Sequence, residues 1–273
     1  MIPLDASHTP AIEALLAARR VDAMFILSNL RAQGFGGDHP HEMRVWGDAT
    51  APSAVLGLTN AGMVLPFLPY AQHVSSAADV LRGRSLLGFA GPTSMVRPLL
   101  AVLGLDTAQT SLSVDEPQFL LDLADMTVPD GPGTLAPLTA DPETAARWRQ
   151  AYNEELHVGH PGLEAARADV DRYIAADSHR FLMIDGTPSA MTGFNATLPE
   201  IVQIGGVYTP PETRGRSLAR RAVALHLVEA QGRGVTQATL AAASDAAVAC
   251  YRPLGFGRVG EFTLLFFAES VTP

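Results

Sequence analysis

The clearest change of hydrophobic period in the chain lies in its second half, between residues 201 and 232. An apolar, β-branched run over residues 201–208 is followed by Pro210 and Pro211, which predicts a strand and then a turn. Directly afterwards, apolar residues recur at helical spacing at Leu218, Ala222, Leu225 and Val228. Gly232 and Gly234 end that helical pattern. The pattern therefore predicts a strand that leads through a short turn into an amphipathic helix.

The same reading of period and turn residues gives elements along the rest of the chain. In the first half it predicts a strand at 2–4, a helix at about 10–20, strands at 43–46, 54–59 and 63–68, a helix at 76–82, a strand at 85–90, a helix at 95–103 and a strand at 118–123. In the second half it predicts helices at 142–156 and 163–175, strands at 180–184, 189–196 and 236–241, and a last strand at 261–267 that closes the sheet. Strands that alternate with helices in this way predict an α/β fold with a mixed central sheet flanked by helices.

Residues 128–134 are the predicted linker, because the prolines and glycines there disfavour both helix and central strand. The linker separates a domain at 1–127 from a domain at 135–273. The pattern restarts after it: Pro-Leu-Thr-Ala at 137–140 echoes Pro-Leu-Asp-Ala at 3–6, and the run 233–256 echoes 82–105. These echoes predict two similar α/β domains in tandem, the first shorter in its middle. An unrelated first α/β domain is the alternative.

The turn before the predicted helix reads Arg-Gly-Arg-Ser-Leu-Ala, residues 214–219. The first backbone N–H groups of a helix have no partners within the helix, and the helix dipole places partial positive charge there. With two arginines beside it, such a turn predicts a binding site for an anion such as phosphate.

Two segments in this order resemble motifs of the GCN5-related N-acetyltransferase family. Residues 214–219 resemble its pyrophosphate loop, Arg/Gln-x-x-Gly-x-Gly/Ala, and residues 244–256 resemble its segment Asn-x-x-Ala-x-x-x-Tyr-x-x-x-Gly-Phe. The resemblance implies the acyl-CoA N-acyltransferase fold, with a degenerate first copy that has lost its coenzyme site. It also implies acetyl transfer from acetyl-CoA, as co-substrate, to a primary amine of a small molecule or peptide.

The resemblance assigns roles to residues of the second half. Backbone groups of Val207, Tyr208 and Thr209 would meet the pantetheine arm and the thioester. Pyrophosphate binding would fall to Arg214, Gly215, Arg216, Ser217, Leu218, Ala219 and Arg220, with further coenzyme contacts at Ser244 and Ala247. Tyr251 would be the general acid that protonates the coenzyme thiolate. Ser217 and Ser244 depart from the family pattern, which has glycine and asparagine there.

The sequence leaves the general base open. The candidates are Glu154, Glu155, His157, His160 and Glu200, and each is also a plausible surface residue. A metal site is not predicted, because the histidine pairs 157/160 and 39/41 have no placed carboxylate. Ser217 followed by His226 fits a hydrolase poorly, since the turn before Ser217 is long and the acid is missing. A catalytically inactive coenzyme-binding or scaffolding module is the other alternative.

The composition and charge of the chain exclude some kinds of chemistry and favour some partners over others. The net charge of −9 and pI of about 5.3 argue against a nucleic-acid partner and favour an amine-bearing acceptor. All basic residues are arginine, which excludes a lysine Schiff base and a Walker lysine. The single cysteine, Cys250, and the absence of a leader or membrane-length apolar run favour a cytoplasmic protein without a membrane partner. The oligomeric state is open, a homodimer included.

Overall fold

The computed structural model describes residues 1–159 and 161–273, and these residues form two compact units. The first unit contains residues 1–117 and 260–273, and the second contains residues 118–259. The boundaries between the two units, after residues 117 and 259, do not coincide with the predicted linker at 128–134. The reason is the strand pairing described below, which places residues 118–122 in the second sheet and the C-terminal strand in the first.

The helices and strands have the following bounds. The strands are β1 Ile2–Leu4, β2 Met43–Gly47, β3 Val55–Thr59, β4 Met63–Phe67, β5 Leu86–Pro92, β6 Thr110–Asp122, β7 Thr134–Pro137, β8 His179–Ile184, β9 Thr187–Thr197, β10 Ile201–Tyr208, β11 Gln237–Ala241 and β12 Gly257–Val271. The helices are α1 Thr9–Ala17, α2 Arg20–Gln33, α3 Gln72–Leu81, α4 Thr93–Leu103, α5 Pro142–Leu156, α6 Leu163–Ala175, α7 Leu218–Gly232 and α8 Asp245–Tyr251. Both ends of α5, α6 and β10 confirm the predictions. None of these helices is long and apolar enough to cross a membrane.

The sheet of the first unit has the strand order β1-β2-β3-β4-β5-β12-β6. Neighbours from β1 to β4 are antiparallel, β4 and β5 are parallel, and β5 and β12 are antiparallel. The last strand was expected to close the sheet of the second half, but its residues 262–266 pair with β5 instead. Leu265 and Phe267 of β12 are buried in the core of the first unit, together with residues of α3 and α4. The C-terminal strand is therefore part of the first unit.

The sheet of the second unit has the strand order β7-β8-β9-β10-β11-β6. Its neighbours are antiparallel from β7 to β10, parallel between β10 and β11, and antiparallel between β11 and residues 118–122 of β6. This is the same sequence of orientations as in the first unit. The common order supports the predicted tandem of two similar folds, in which β12 and β6 occupy equivalent positions.

The two units differ where a coenzyme site is predicted in the second. In the first unit, residues 68–71 connect β4 to α3, whereas residues 209–217 connect β10 to α7 in the second. The Cδ atom of Pro66 lies only 3.2 Å from the position that a Cβ on Gly91 would occupy. The backbone N–H of Leu68 points at Met95 Sδ, at 3.2 Å. Side chains thus lie close to the end of β4 in the first unit, and the loss of a coenzyme site in this copy stays a prediction.

Candidate functional site

The site of the second unit begins where β10 separates from β11. The two strands pair at Ile201, Val202 and Gln203 only, whereas β10 continues to pair with β9 as far as Tyr208. One extra residue of β10 lies between Gly205 and Tyr208, which makes a β-bulge. From residue 204 onward, one edge of β10 therefore presents backbone N–H and C=O groups to the gap beside β11. An extended ligand can hydrogen-bond to such an edge.

The turn that follows β10 places an open helix N-terminus at the end of this gap. Gly215 and Ser217 have positive φ angles of 78° and 58°. A Cβ at Gly215 would meet nothing within 4 Å, so the turn is open on that side. In the described part of the chain, Ser217 makes no side-chain hydrogen bond to cap α7. The first N–H groups of α7 are therefore available to an anion, as the sequence predicts.

Ser217→Gly is expected to raise the free energy of unfolding of the second unit by up to about 1 kcal/mol. Glycine adopts a left-handed conformation without the steric cost that a Cβ brings at the φ of 58° found here. Unfolding in urea can be followed by the fluorescence of Trp148 in a Trp46→Phe background, since the chain has two tryptophans. Ser217→Ala is the control, because alanine keeps the Cβ. An equal gain in the alanine variant would show that backbone conformation is not the cause.

The arginines of the turn have different partners. Arg214 donates from Nη2 to both carboxylate oxygens of Glu155 at 2.8 Å, and its Nε donates to the carbonyl of Thr209 at 2.8 Å. Arg220 donates to the carbonyls of Ala249 and Cys250 and so ties α7 to α8. These two predicted coenzyme ligands are already engaged within the protein. Arg216 is exposed and directly precedes the left-handed Ser217.

The predicted coenzyme and acid residues of the segment 244–256, which are Ser244, Ala247 and Tyr251, lie in helix α8 and at its N-cap. The Ser244 hydroxyl accepts a hydrogen bond from the N–H of Ala247 at 3.2 Å and thereby caps the helix. Tyr251 is 7% exposed and its ring lies against that of Phe256, with centroids 5.9 Å apart. Capping and core packing account for these residue types in the structure. Their coenzyme and acid roles stay predictions.

Buried hydrogen-bonding atoms without partners lie along β10. Within the described residues, Gln203 Oε1, Thr209 Oγ1 and His179 Nε2 are buried and unpaired. Gln203 is the last residue of β10 that pairs with β11, and the ring of His179 lies beside Gly206. Buried polar atoms are usually satisfied, and Gln203 and Thr209 are two exceptions on either side of the part of β10 that does not pair with β11. His179 was not a sequence candidate; the only signal was the presence of glycines inside β9 and β10.

The base candidates are dispersed. Glu155 is paired with Arg214, Glu154 accepts from Gln150 at 2.8 Å, and His157 ends α5 in a left-handed conformation. Glu200 accepts hydrogen bonds at its backbone carbonyl from residues 236 and 237, and His160 lies outside the described residues. Across residues 1–159 and 161–273, no three His, Cys, Asp or Glu side chains are grouped to hold a metal ion. The general base thus stays unassigned by this geometry.

The hydrolase alternative conflicts with the position of His226. This residue is fully buried on α7 and stacks on Phe194, with ring centroids 3.9 Å apart. Neither of its ring nitrogens has a hydrogen-bond partner among the residues described, so it activates no serine.

The predicted apolar stripe of α7 is wrong in part. Val228 is 42% exposed, and the buried face is centred on residues 222, 223, 226, 227 and 230.

Comparison with known proteins finds a family match within the second unit. Residues 145–256 match the sequence model described as the acetyltransferase (GNAT) family. A search of curated proteins finds no match. Because the matched range lies inside the second unit, the family assignment rests on the unit that carries the open turn.

Solved structures of similar fold cover almost the whole chain. A Drosophila protein has a TM-score of 0.70 at 14% identity and covers 97% of each chain. A GCN5-related N-acetyltransferase from Kribbella flavida has a TM-score of 0.58 at 19% identity, covering 92% of this chain and 95% of its own. A tandem GNAT protein from the clavulanic acid biosynthesis pathway has a TM-score of 0.57 at 17% identity, covering 98% and 97%. The predicted fold class is confirmed, and residues 145–256 match the sequence model of the acetyltransferase (GNAT) family.

Proposed function

We propose that the second unit is an acetyl-CoA-dependent N-acetyltransferase that acts on a primary amine of a small molecule or peptide. The observation that carries the proposal is the gap between β10 and β11, which leads to the open N-terminus of α7. The strand edge suits an extended pantetheine arm, and the helix N-terminus suits a pyrophosphate. The two features are joined by the turn at residues 209–217, so one ligand can span both.

The pyrophosphate would be held mainly by backbone N–H groups from Gly215 to Arg220, with Arg216 supplying positive charge. The side chain of Arg214 acts differently in this proposal. Its ion pair with Glu155 joins the turn to α5, and its guanidinium lies 5.7 Å from the ring centre of Tyr208. Arg214 would therefore hold the turn in shape rather than bind phosphate directly.

The chemistry would take place at the bulge of β10. Backbone N–H groups near Val207 and Thr209 would bind the thioester oxygen and stabilise the negative charge that develops on it. The neutral amine nitrogen would attack the carbonyl carbon, so that a C–N bond forms and the C–S bond breaks. The nitrogen loses a proton to a base, and Tyr251 would give its proton to the leaving thiolate. Alignment of the amine with the bound thioester supplies much of the rate.

A second candidate is a coenzyme-binding or scaffolding module without turnover. It is favoured by the Arg214–Glu155 ion pair, which neutralises one of the predicted phosphate ligands and engages one of the base candidates. The strained Ser217 in the position of the family glycine points the same way. The acidic net charge of −9 favours an amine-bearing partner over nucleic acid in either case.

Charge reversal at Arg216 is expected to weaken acetyl-CoA binding at least tenfold, because it places a carboxylate beside the pyrophosphate. The double variant Gly215→Pro, Arg216→Glu is expected to abolish binding, since proline removes an N–H donor and does not fit the φ of 78°. Calorimetric titration measures both, after circular dichroism has shown that the variants are folded. Arg84→Glu is the matched control, because residues 82–86 repeat the same Arg-Gly-Arg-Ser-Leu sequence in the first unit and Arg84 occupies the position of Arg216 in that repeat.

Binding that survives the double variant would remove the turn from the coenzyme site. If wild-type binding depends on the turn, a panel of primary amines then separates the two candidates. An enzyme shows thiol release with one or more amines, and Tyr251→Phe keeps the binding while it loses turnover. A module without turnover binds acetyl-CoA but releases no thiol with any of these amines.

A further inference from the structure

The buried histidine of β8 has a more specific position than core packing requires. His179 is 2% exposed, and its ring stacks on that of Tyr173 with centroids 3.7 Å apart and planes 12° apart. Its Nδ1 lies 2.8 Å from the hydroxyl of Ser178. Its Nε2 has no hydrogen-bond partner in the described chain. The Nδ1 side of the imidazole is therefore held by a hydrogen bond, whereas the Nε2 side is not.

The Nε2 side of the His179 ring faces the bulge of β10. A Cβ on Gly193 would lie 2.1 Å from both Cδ2 and Nε2 of His179, and a Cβ on Gly206 would lie 2.6 Å from Nε2. Real Cβ atoms do not approach so closely, so the ring fits only because both residues are glycine. Gly206 also has a φ of 61° and lies inside the bulge. The imidazole and the bulge therefore form a single packed arrangement.

Burial and nearby positive charges keep the imidazole of His179 neutral. Burial is the largest cause, and together with the guanidinium groups of Arg149 on α5 and Arg180 on β8 it lowers the pKa of His179 to about 3. Tyr173 of α6 stays protonated, because burial raises its pKa to about 12. Nδ1 and the Ser178 hydroxyl share a hydrogen bond, and Nε2 faces the bulge. A neutral ring of this kind packs against the bulge without placing charge beside it.

We propose that His179 is a positioning residue: it holds the β10 bulge in the conformation whose N–H groups bind the thioester carbonyl, and so makes the unit prefer acetyl-CoA to CoA. This inference rests on the proposed function. It adds a residue on a different strand, outside both sequence motifs, to the part of the site that recognises the acyl group.

The test compares the dissociation constants of acetyl-CoA and CoA by calorimetry for wild type, His179→Phe and His179→Gln. His179→Phe keeps the stacking on Tyr173 and removes both ring nitrogens. It is expected to lose at least fivefold in the preference for acetyl-CoA, while the affinity for CoA changes less than twofold. His179→Gln places an amide near Nε2 and is expected to recover part of the preference.

A spectroscopic readout separates positioning from general destabilisation. The ¹³C resonance of carbonyl-labelled acetyl-CoA is expected to shift on binding to wild type and to move back toward the free value in His179→Phe. His226→Phe is the matched control, because His226 is also buried and stacked on an aromatic ring, but it lies on α7 and its ring packs on Phe194 rather than beside Gly206. It is expected to change neither the preference nor the shift.

Ser178→Ala provides a milder variant for the case in which His179→Phe does not fold. It removes the partner of Nδ1 and is expected to reduce the preference for acetyl-CoA at least twofold. A folded His179→Phe, or Ser178→Ala, with the preference and resonance of wild type would overturn the inference and leave the proposed function standing. Wild type that binds both coenzymes equally well would also overturn it. Wild type that binds neither would refute the proposed function itself.

Discussion

Lowering the pH from 7.5 to 5 is expected to reduce the free energy of unfolding of the second unit by about 4 kcal/mol. Burial lowers the pKa of His179 to about 3 and that of His226 to about 2, from an unfolded value of 6.5. Below pH 6.5 the unfolded chain therefore takes up protons that the folded unit does not. The stabilisation is complete above pH 6.5 and is lost as the pH falls toward 3, at about 1.4 kcal/mol per pH unit for each histidine.

Urea unfolding at pH 7.5, 6.5, 5.5 and 5.0 measures this slope, again with Trp148 as the reporter. His226→Phe removes one of the two titrations and is expected to halve the pH dependence, to about 2 kcal/mol. Burial raises the pKa of Glu116 in the first unit, so through this residue a lower pH increases the free energy of unfolding of that unit. A flat profile in wild type would show that the two histidines are hydrated or paired in solution.

The parts of the fold that were predictable are those in which the signal is local. Helix α5 and strand β10 have both ends marked by caps, prolines or glycines that act within a few residues, and α6 begins directly after Gly162. Ser217 belongs to the same class, because a motif position that normally has glycine indicates a left-handed backbone, and Ser217 has a φ of 58°. The candidate site is predictable where it consists of the strand and turn that precede one helix.

The parts that were not predictable depend on residues far apart in sequence. The predicted strand segments at 118–123 and 261–267 are both largely apolar, and nothing in their periodicity indicates which sheet each will join. His179 is another case, because its position depends on Gly193 and Gly206, each on a different strand. His226 has a polar side chain, yet it is buried in a face of α7 that a hydrophobicity pattern does not include. Pairing and burial of this kind follow from topology rather than from local pattern.

Removal of β12 is expected to unfold the first unit while leaving the second folded. In a chain that ends at Val259, β5 loses its antiparallel neighbour, and the core loses Leu265 and Phe267. Each of these side chains contributes about 1.5–3 kcal/mol by burial alone, before the cavity and the lost backbone hydrogen bonds are counted. A domain has only about 5–15 kcal/mol in total. Trp46, now 6% exposed in that core, should become solvent-exposed, as measured by its fluorescence in a Trp148→Phe background.

A point variant tests the same argument without truncation. Phe267 is 2% exposed and contacts the ring of Phe89 edge to face, with centroids 6.1 Å apart. Phe267→Ala is expected to cost the first unit about 3–5 kcal/mol, whereas Glu269→Ala, at an exposed position of the same strand, should cost less than about 0.5 kcal/mol. If both variants behaved alike, β12 would not be packed in the first unit. The larger effect at Phe267, reported by Trp46 and not by Trp148, would show that the C-terminal strand stabilises the N-terminal fold.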